Sequence, residues 1–200
     1  DIIEYKEKII DNFEVEHFIK ISKKIIDNFK GNINNEEKIF GIGIGVHGLV
    51  DPEAGISRYA PHFGWRNLAL KKLLEKQIEF PVLIDNDVRM MALTEKWEGR
   101  DNFIFINTGI GIGAAVVLNG ELNYGRDYSA GEFGHMNIVK DGPVCSCGDH
   151  GCLEALISTN NLIKRYYQEI TSNISFSESR GKWQKMVEKA KAGENQARKI

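Results

Sequence analysis

An α/β fold that gives way to a hairpin, a cysteine loop and a helical end is what this 200-residue sequence predicts. Three observations carry that expectation. Over the first hundred residues, short apolar runs that suit buried strands alternate with segments of helical spacing. Near residue 102 the strands restart with a glycine-rich turn of their own. Beyond the last cysteine the apolar spacing is helical to the end of the chain. A boundary near residue 100 follows, giving two α/β parts, residues 1–99 and 100–200.

Residues 2–10 mix apolar and charged side chains in a way that suits a strand, with a helix as the alternative. From Val15 the apolar positions 15, 18, 19, 25, 26 and 29 share one helical face, ending near Gly31. Residues 38–46 form a short apolar strand, and Asp51-Pro-Glu-Ala-Gly55 is a turn signal shortly after it. Helical spacing over 68–77, a buried strand over 81–85 and a helix over 88–97, stopped by Gly99, complete the first part. In the second part, 102–107 reads as a strand. Residues 114–118 and 121–124, joined by Asn119-Gly120, carry the strongest short hairpin signal. Two helical stretches, 153–167 and 183–200, close the chain, with a polar, Ser-rich stretch between them.

Composition sets limits on function. Apolar residues make up 42% and charged residues 27%, as in an ordinary soluble globular protein. A net charge of −2 gives no basic footprint for nucleic acid in this stretch. No apolar segment reaches membrane-spanning length and no signal pattern opens the chain, so no membrane partner and a cytoplasmic location are expected. The chain starts without Met and stops within a helical pattern, and it reads as part of a longer protein.

All three cysteines fall within eight residues, Cys145-Ser-Cys147-Gly-Asp-His-Gly-Cys152. Clustered thiols with a nearby imidazole meet the donor needs of a closed tetrahedral zinc site, which is structural because four protein ligands leave no open position. An odd number of cysteines speaks against a disulfide framework. Two histidines compete for the fourth position: His150 inside the loop, and His135 ten residues upstream. Spacing alone does not choose between them.

Three further constellations can carry chemistry. Asp85-Asn86-Asp87 stands where a strand ends and a helix begins, where ligands of α/β sheets gather and a carboxylate can accept a hydroxyl proton. Helix capping explains one of the three equally well. Thr108-Gly-Ile-Gly-Ile-Gly113 alternates glycine between two strands and leaves backbone N–H groups open to a phosphate, yet it is neither a Walker loop nor a dinucleotide fingerprint. Glu132 and His135, in Gly131-Glu-Phe-Gly-His135, sit three apart beside glycines that allow close backbone approach. Glu154 follows the last cysteine by two residues.

Taken together these segments resemble the ROK family of repressors, open reading frames and kinases, within the actin-like sugar kinase superfamily. The resemblance rests on Glu132-Phe-Gly-His135 followed by Cys145-x-Cys147-Gly-x-x-Gly-Cys152-x-Glu154, supported by Gly48, Asn86-Asp87 and Gly109-Ile-Gly-Ile-Gly113, and it covers about residues 38–160. It implies a two-domain, actin-like (ribonuclease H-like) fold, truncated at both ends, with a zinc loop. The implied zinc ligands are His135, Cys145, Cys147 and Cys152. Asn86, Asp87, Glu132, His135 and Glu154 are implied to bind the hydroxyls of a monosaccharide in the interdomain cleft. In the kinases of the family the aspartate at the position of Asp87 is the catalytic base, and Thr108, Gly109 and Gly111 would face the phosphates of ATP, with Mg²⁺.

The sequence departs from the kinase pattern. No Asp-x-Gly-x-Thr phosphate loop is present, and the family's last strands are missing. Val46-His47-Gly48-Leu-Val-Asp51-Pro, Ala60-Pro-His-Phe-Gly-Trp65 and Asp85-Asn-Asp-Val-Arg89 look more like the branch of xylose and N-acetylglucosamine repressors. In that branch a winged-helix domain ahead of the sugar-binding body reads DNA. The expectation is therefore the sugar-sensing part of a transcriptional repressor, with an ATP-dependent hexose kinase as the alternative. The resemblance also implies a homodimer or dimer of dimers.

Overall fold

A computed structural model describes residues 5–8, 10, 12–32, 39–168 and 176–200. The chain divides into two compact units, Asp1–Asp101 with Tyr124–Ser129, and Asn102–Asn123 with Ala130–Ile200. In the first unit α1 (Val15–Asn32) follows the expected apolar face, and Val15, Phe18, Ile19 and Ile26 pack on the core. Then come β1 (Ile42–Val46), β2 (Leu49–Asp51), β3 (Ile56–Ala60), β4 (Trp65–Leu68), α2 (Leu70–Glu75), β5 (Val82–Asn86) and α3 (Asp87–Trp97).

β1 and β5 pair in parallel, with Val46 opposite Asn86 at the end of the ladder. β2, β3 and β4 form a separate antiparallel sheet. Val50, Leu70, Leu74 and Val82 are fully buried between these elements. Each such side chain contributes about 1.5–3 kcal/mol of transfer free energy. Gly43 and Gly45 bring α3 close to β1: a Cβ on Gly45 would lie 3.1 Å from the Asp87 Cα, and one on Gly43 3.2 Å from Met90 Cε.

Arg89 is the electrostatic centre of this unit. Only 3% exposed, it donates through Nε to Asp85 Oδ1 at 2.7 Å, through Nη1 to the Tyr128 carbonyl at 3.0 Å, and through Nη2 to the Val50 carbonyl at 2.7 Å. Its guanidinium lies 5.0 Å from the ring centroid of Tyr124, whose hydroxyl donates to Asp85 Oδ2. The buried charge is thus paired and hydrogen-bonded, as burial demands. Residues 124–129 belong to the first unit through these bonds.

The second unit opens with β6 (Phe103–Thr108), β7 (Ile112–Leu118) and β8 (Glu121–Leu122), an antiparallel sheet. Asn119 and Gly120, at φ 52° and 74°, make the two-residue turn that both left-handed residues permit. After the cysteine loop come α4 (Leu153–Ile157), α5 (Thr159–Tyr167), α6 (Phe176–Lys191) and α7 (Asn195–Lys199). Tyr166, Met186 and Ala197 hold the last three helices together. Among the described residues no helix is long and apolar enough to cross a membrane.

Several expectations need correction. The helix placed over 68–77 runs only from Leu70 to Glu75, because Leu68 pairs with Ser57 as the last residue of β4. The 153–167 stretch is two helices, since Ser158 takes an extended conformation (φ −64°, ψ 150°). The 183–200 stretch is likewise broken at Gly193, whose φ is 97°, and its first helix starts at Phe176. The described residues 5–8 and 10 lie in neither strand nor helix. The remainder of that expected strand, and the Ser-rich residues 169–175, lie outside the described residues.

Candidate functional site

In the second unit, His135, Cys145, Cys147 and Cys152 bring one ligand atom each to within 4.8 Å of one another. Their convergence is built from backbone geometry. Cys145 N–H donates to the Asp149 carbonyl and Gly148 N–H to the Cys145 carbonyl, closing the loop that carries Cys145 and Cys147. Cys152 caps α4 and bridges back to Asn137. His135 ends a short 3-10 turn, Phe133–His135, which is pressed onto β7. The glycines make that contact possible: a Cβ on Gly134 would lie 2.1 Å from the Ile112 carbonyl oxygen, and one on Gly131 2.2 Å from that of Ala114.

The donor set fits a tetrahedral metal. Zinc–sulfur bonds of about 2.3 Å at tetrahedral angles place two sulfurs about 3.8 Å apart. The Cys147 and Cys152 sulfurs are 3.7 Å apart, and Cys145 Sγ lies 3.5 Å from His135 Nδ1. Burial, and then the facing Cys147 and Cys145 thiols, push Cys152 up to about 12. A bound cation reverses that tendency, because it stabilises thiolate directly. His150 does not join this group. Its side chain is exposed, and its backbone is what the loop uses: the carbonyl accepts from Asn137 Nδ2 at 2.6 Å. Of the two histidines that spacing left open, the fold brings His135 to the three cysteines.

With Nδ1 turned to the sulfurs, His135 has Nε2 on the other side, 3.7 Å from Glu132 Oε2. Glu154, in the first turn of α4, accepts the Ile112 N–H through Oε2 at 2.8 Å and the Ser146 hydroxyl through Oε1 at 3.2 Å. Ile112 opens β7 just after the glycine turn. Within that turn, Gly109 N–H donates to the Gly111 carbonyl at 2.9 Å, and Thr108 pairs with Ile112.

Asn86 and Asp87 lie in the first unit, at the junction of β5 and α3. Asn86 is the N-cap of α3: its Oδ1 accepts from Arg89 N–H at 3.0 Å, while its Nδ2 donates to the Gly48 carbonyl at 3.0 Å. The left-handed backbone of Gly48 (φ 86°) is required there, since a Cβ would sit 2.2 Å from the Tyr59 carbonyl oxygen. Asp87 follows as the first helical residue. Burial raises its carboxyl above the usual range, against the lowering pull of the Val88 N–H and Arg89. A carboxylate so placed is a better proton acceptor near neutral pH than an exposed one.

Two groups in the first unit escaped the sequence. Arg89 looks like any helical arginine until its buried partners are seen. His47 is pushed down to about 4 by burial and, second, by His62. It accepts the His62 backbone N–H through Nε2 at 3.3 Å, beside the Phe63 ring. The segments Val46-His47-Gly48 and Ala60-Pro-His-Phe-Gly-Trp65 pointed to this corner only as part of a family resemblance, without a role for His47.

A two-unit α/β chain with a His/Cys₃ cluster and a glycine turn braced by a carboxylate is thus defined by its geometry. The sequence matches the ROK family from residue 4 to residue 200, and the chain belongs to that family, with its actin-like sugar kinase fold. A putative xylose repressor from Caldicellulosiruptor sp. (strain Rt8B.4) is 38% identical over 164 residues, covering 80% of this chain and 39% of the relative. A glucokinase from Halalkalibacterium halodurans is 32% identical over 158 residues, 76% of this chain and 48% of that protein. The crystal structure of a ROK family glucokinase from Streptomyces griseus in complex with glucose and AMPPNP matches with a TM-score of 0.71 at 27% identity, over 89% of this chain and 62% of that one. The chain thus spans less than half the length of these two sequence relatives.

Proposed function

We propose that the chain is the sugar-sensing part of a ROK-family transcriptional repressor. The observation that carries this reading is the 38% identity to a putative xylose repressor over four-fifths of the chain. The repressor-like wording of Val46-His47-Gly48 and Asp85-Asn-Asp-Val-Arg89 supports it. In this reading His135, Cys145, Cys147 and Cys152 hold a structural Zn²⁺, which keeps the loop closed. Asn86, Asp87, Glu132, His135 and Glu154 supply donors and acceptors to the hydroxyls of a monosaccharide. Each hydroxyl left unmatched by a wrong sugar costs a buried polar group its partner, which is how such a set discriminates. Sugar binding biases a dimer between DNA-binding and released states by its differential affinity for the two. DNA contact belongs to a winged-helix domain of the whole protein, the division into sugar-binding parts falls near residue 100, and the protein works in the cytoplasm.

A second reading has its own support in the glucokinase relative and in the raised carboxyl of Asp87. In a kinase, Asp87 takes the proton of the attacking sugar hydroxyl, and Thr108, Gly109 and Gly111 face the ATP phosphates. Calorimetry of the intact protein against pentoses, hexoses and N-acetylhexosamines, followed by a coupled ATP assay on the sugar that binds, separates the two. Binding without turnover is the expected result. Turnover that Asp87→Asn abolishes would replace the repressor by the kinase, and no binding to any sugar would remove both.

A further inference from the structure

Glu154 joins two features that the family resemblance treats separately. Cys152 is the residue immediately before α4, so a metal ligand fixes the start of the helix whose second residue is Glu154. From there Oε2 reaches the Ile112 N–H at 2.8 Å, and Oε1 takes the hydroxyl of Ser146, which stands between two other ligands, Cys145 and Cys147. Gly111 makes room for the carboxylate: a Cβ there would lie 2.8 Å from Oε2. Two more contacts tie the same turn to the same region. Gly109 accepts from Thr159 N–H at 2.8 Å, and the Ile112 carbonyl is packed on Gly134, next to the ligand His135. All of these contacts lie within the second unit.

We propose that Ser146 and Glu154 transmit metal occupancy to the Gly109–Ile112 turn, so that the turn is held in place only when the His135–Cys145–Cys147–Cys152 cluster is filled. The proposal rests on the cluster being a zinc site, as set out above. The physical reason is the position of the tether's two anchors. One end of the Glu154 carboxylate is on the loop that the metal closes, and the other is on an N–H at the first residue of β7. Without the metal the Cys145–Cys147 loop and the α4 start lose their common anchor, and the charge-assisted bond to Ile112 loses its alignment. Glu154 and Ser146 are positioning residues here, acting on the turn through its backbone.

Hydrogen exchange on the zinc-loaded and chelated protein, with zinc content measured on each sample, tests this. Zinc should slow exchange across residues 109–113 by about tenfold or more, the size expected for one hydrogen bond to a charged acceptor. Glu154→Gln should erase most of that zinc-dependent slowing, and the milder Ser146→Ala should reduce it several-fold, with both variants still binding one zinc per chain. Equal exchange with and without zinc, or a slowing that both variants keep, overturns the proposal. So does a zinc effect spread evenly into α6, since that reports global stabilisation. A protein that binds no zinc at all overturns the metal reading, and the coupling with it.

Discussion

His135 divides its ring between two neighbours, with Nδ1 3.5 Å from the Cys145 sulfur and Nε2 towards Glu132. In the proposed metal site, removing it would remove a metal donor and a polar group outside the metal at once. His135→Ala should lower zinc affinity by about 100-fold or more, beyond what losing an outer partner costs. Sugar affinity should fall with it, whereas His150→Ala should leave zinc content unchanged. Metal analysis and calorimetry on the two variants decide it, and exchanged roles would remove His135 from the cluster's proposed function. At this scale the thiols were legible because an odd number of cysteines, all within eight residues, speaks for a shared site rather than a disulfide framework. Spacing did not choose between His135 and His150; the family resemblance implied His135, and it is the 3-10 turn on β7 that brings His135 beside the three sulfurs. Arg89 was invisible for a different reason. A helical arginine is a surface residue by default, and only long-range carbonyls, those of Val50 and Tyr128, make it a core residue.

Elements were legible where the local signal was stronger than the tertiary one. The 114–124 hairpin is in place because Asn119-Gly120 accepts left-handed backbone at both positions. The helix from Val15 and the strand before Asp87 also follow their apolar spacing. The β2–β3–β4 sheet was missed: its strands are three to five residues long, and the Asp51-Pro signal marks the turn without naming its strands. The break at Ser158 was missed because nothing in the local sequence forbids helix there. It is set by the Asn161 side chain on Ser158 Oγ and the Glu154 carbonyl, and by Gly109 holding Thr159 N–H. Glycines carry the element-scale prediction. Gly134→Ala drives a Cβ into a backbone carbonyl that cannot swing away, and should cost about 1–3 kcal/mol in denaturant unfolding. Gly109→Ala meets nothing within 4 Å and should stay within about 0.5 kcal/mol. Equal costs for the two would mean that the approach of the 3-10 turn to β7 is not tight.

At the scale of the whole molecule, acid should act on stability through groups in both units. His47 sits near 4 in the folded protein because burial and His62 disfavour its cation, while in the unfolded chain it titrates near 6.5. A histidine lowered by folding contributes its full share above 6.5, and that share is lost as the pH falls towards 4. The difference corresponds to about 3 kcal/mol. Asp87 has the opposite sign: its raised carboxyl favours the folded state as protons bind, so it softens the loss. In the second unit, a zinc held by His135, Cys145, Cys147 and Cys152, as proposed above, would be released in acid and would add a metal-dependent term of its own. Chelator removes that term; the remaining slope begins with His47 below pH 6.5, and the lowered carboxyls of Glu79 and Asp51 add to it towards the acid end. His47→Gln, whose side-chain oxygen can still accept the His62 N–H, should flatten the denaturant midpoint against pH across that window. Wild-type protein should lose stability steadily through it. If the two curves run parallel in chelator, His47 is not held neutral by the aromatic corner of Phe63 and His62, and the acid response of the first unit must come from its carboxylates instead.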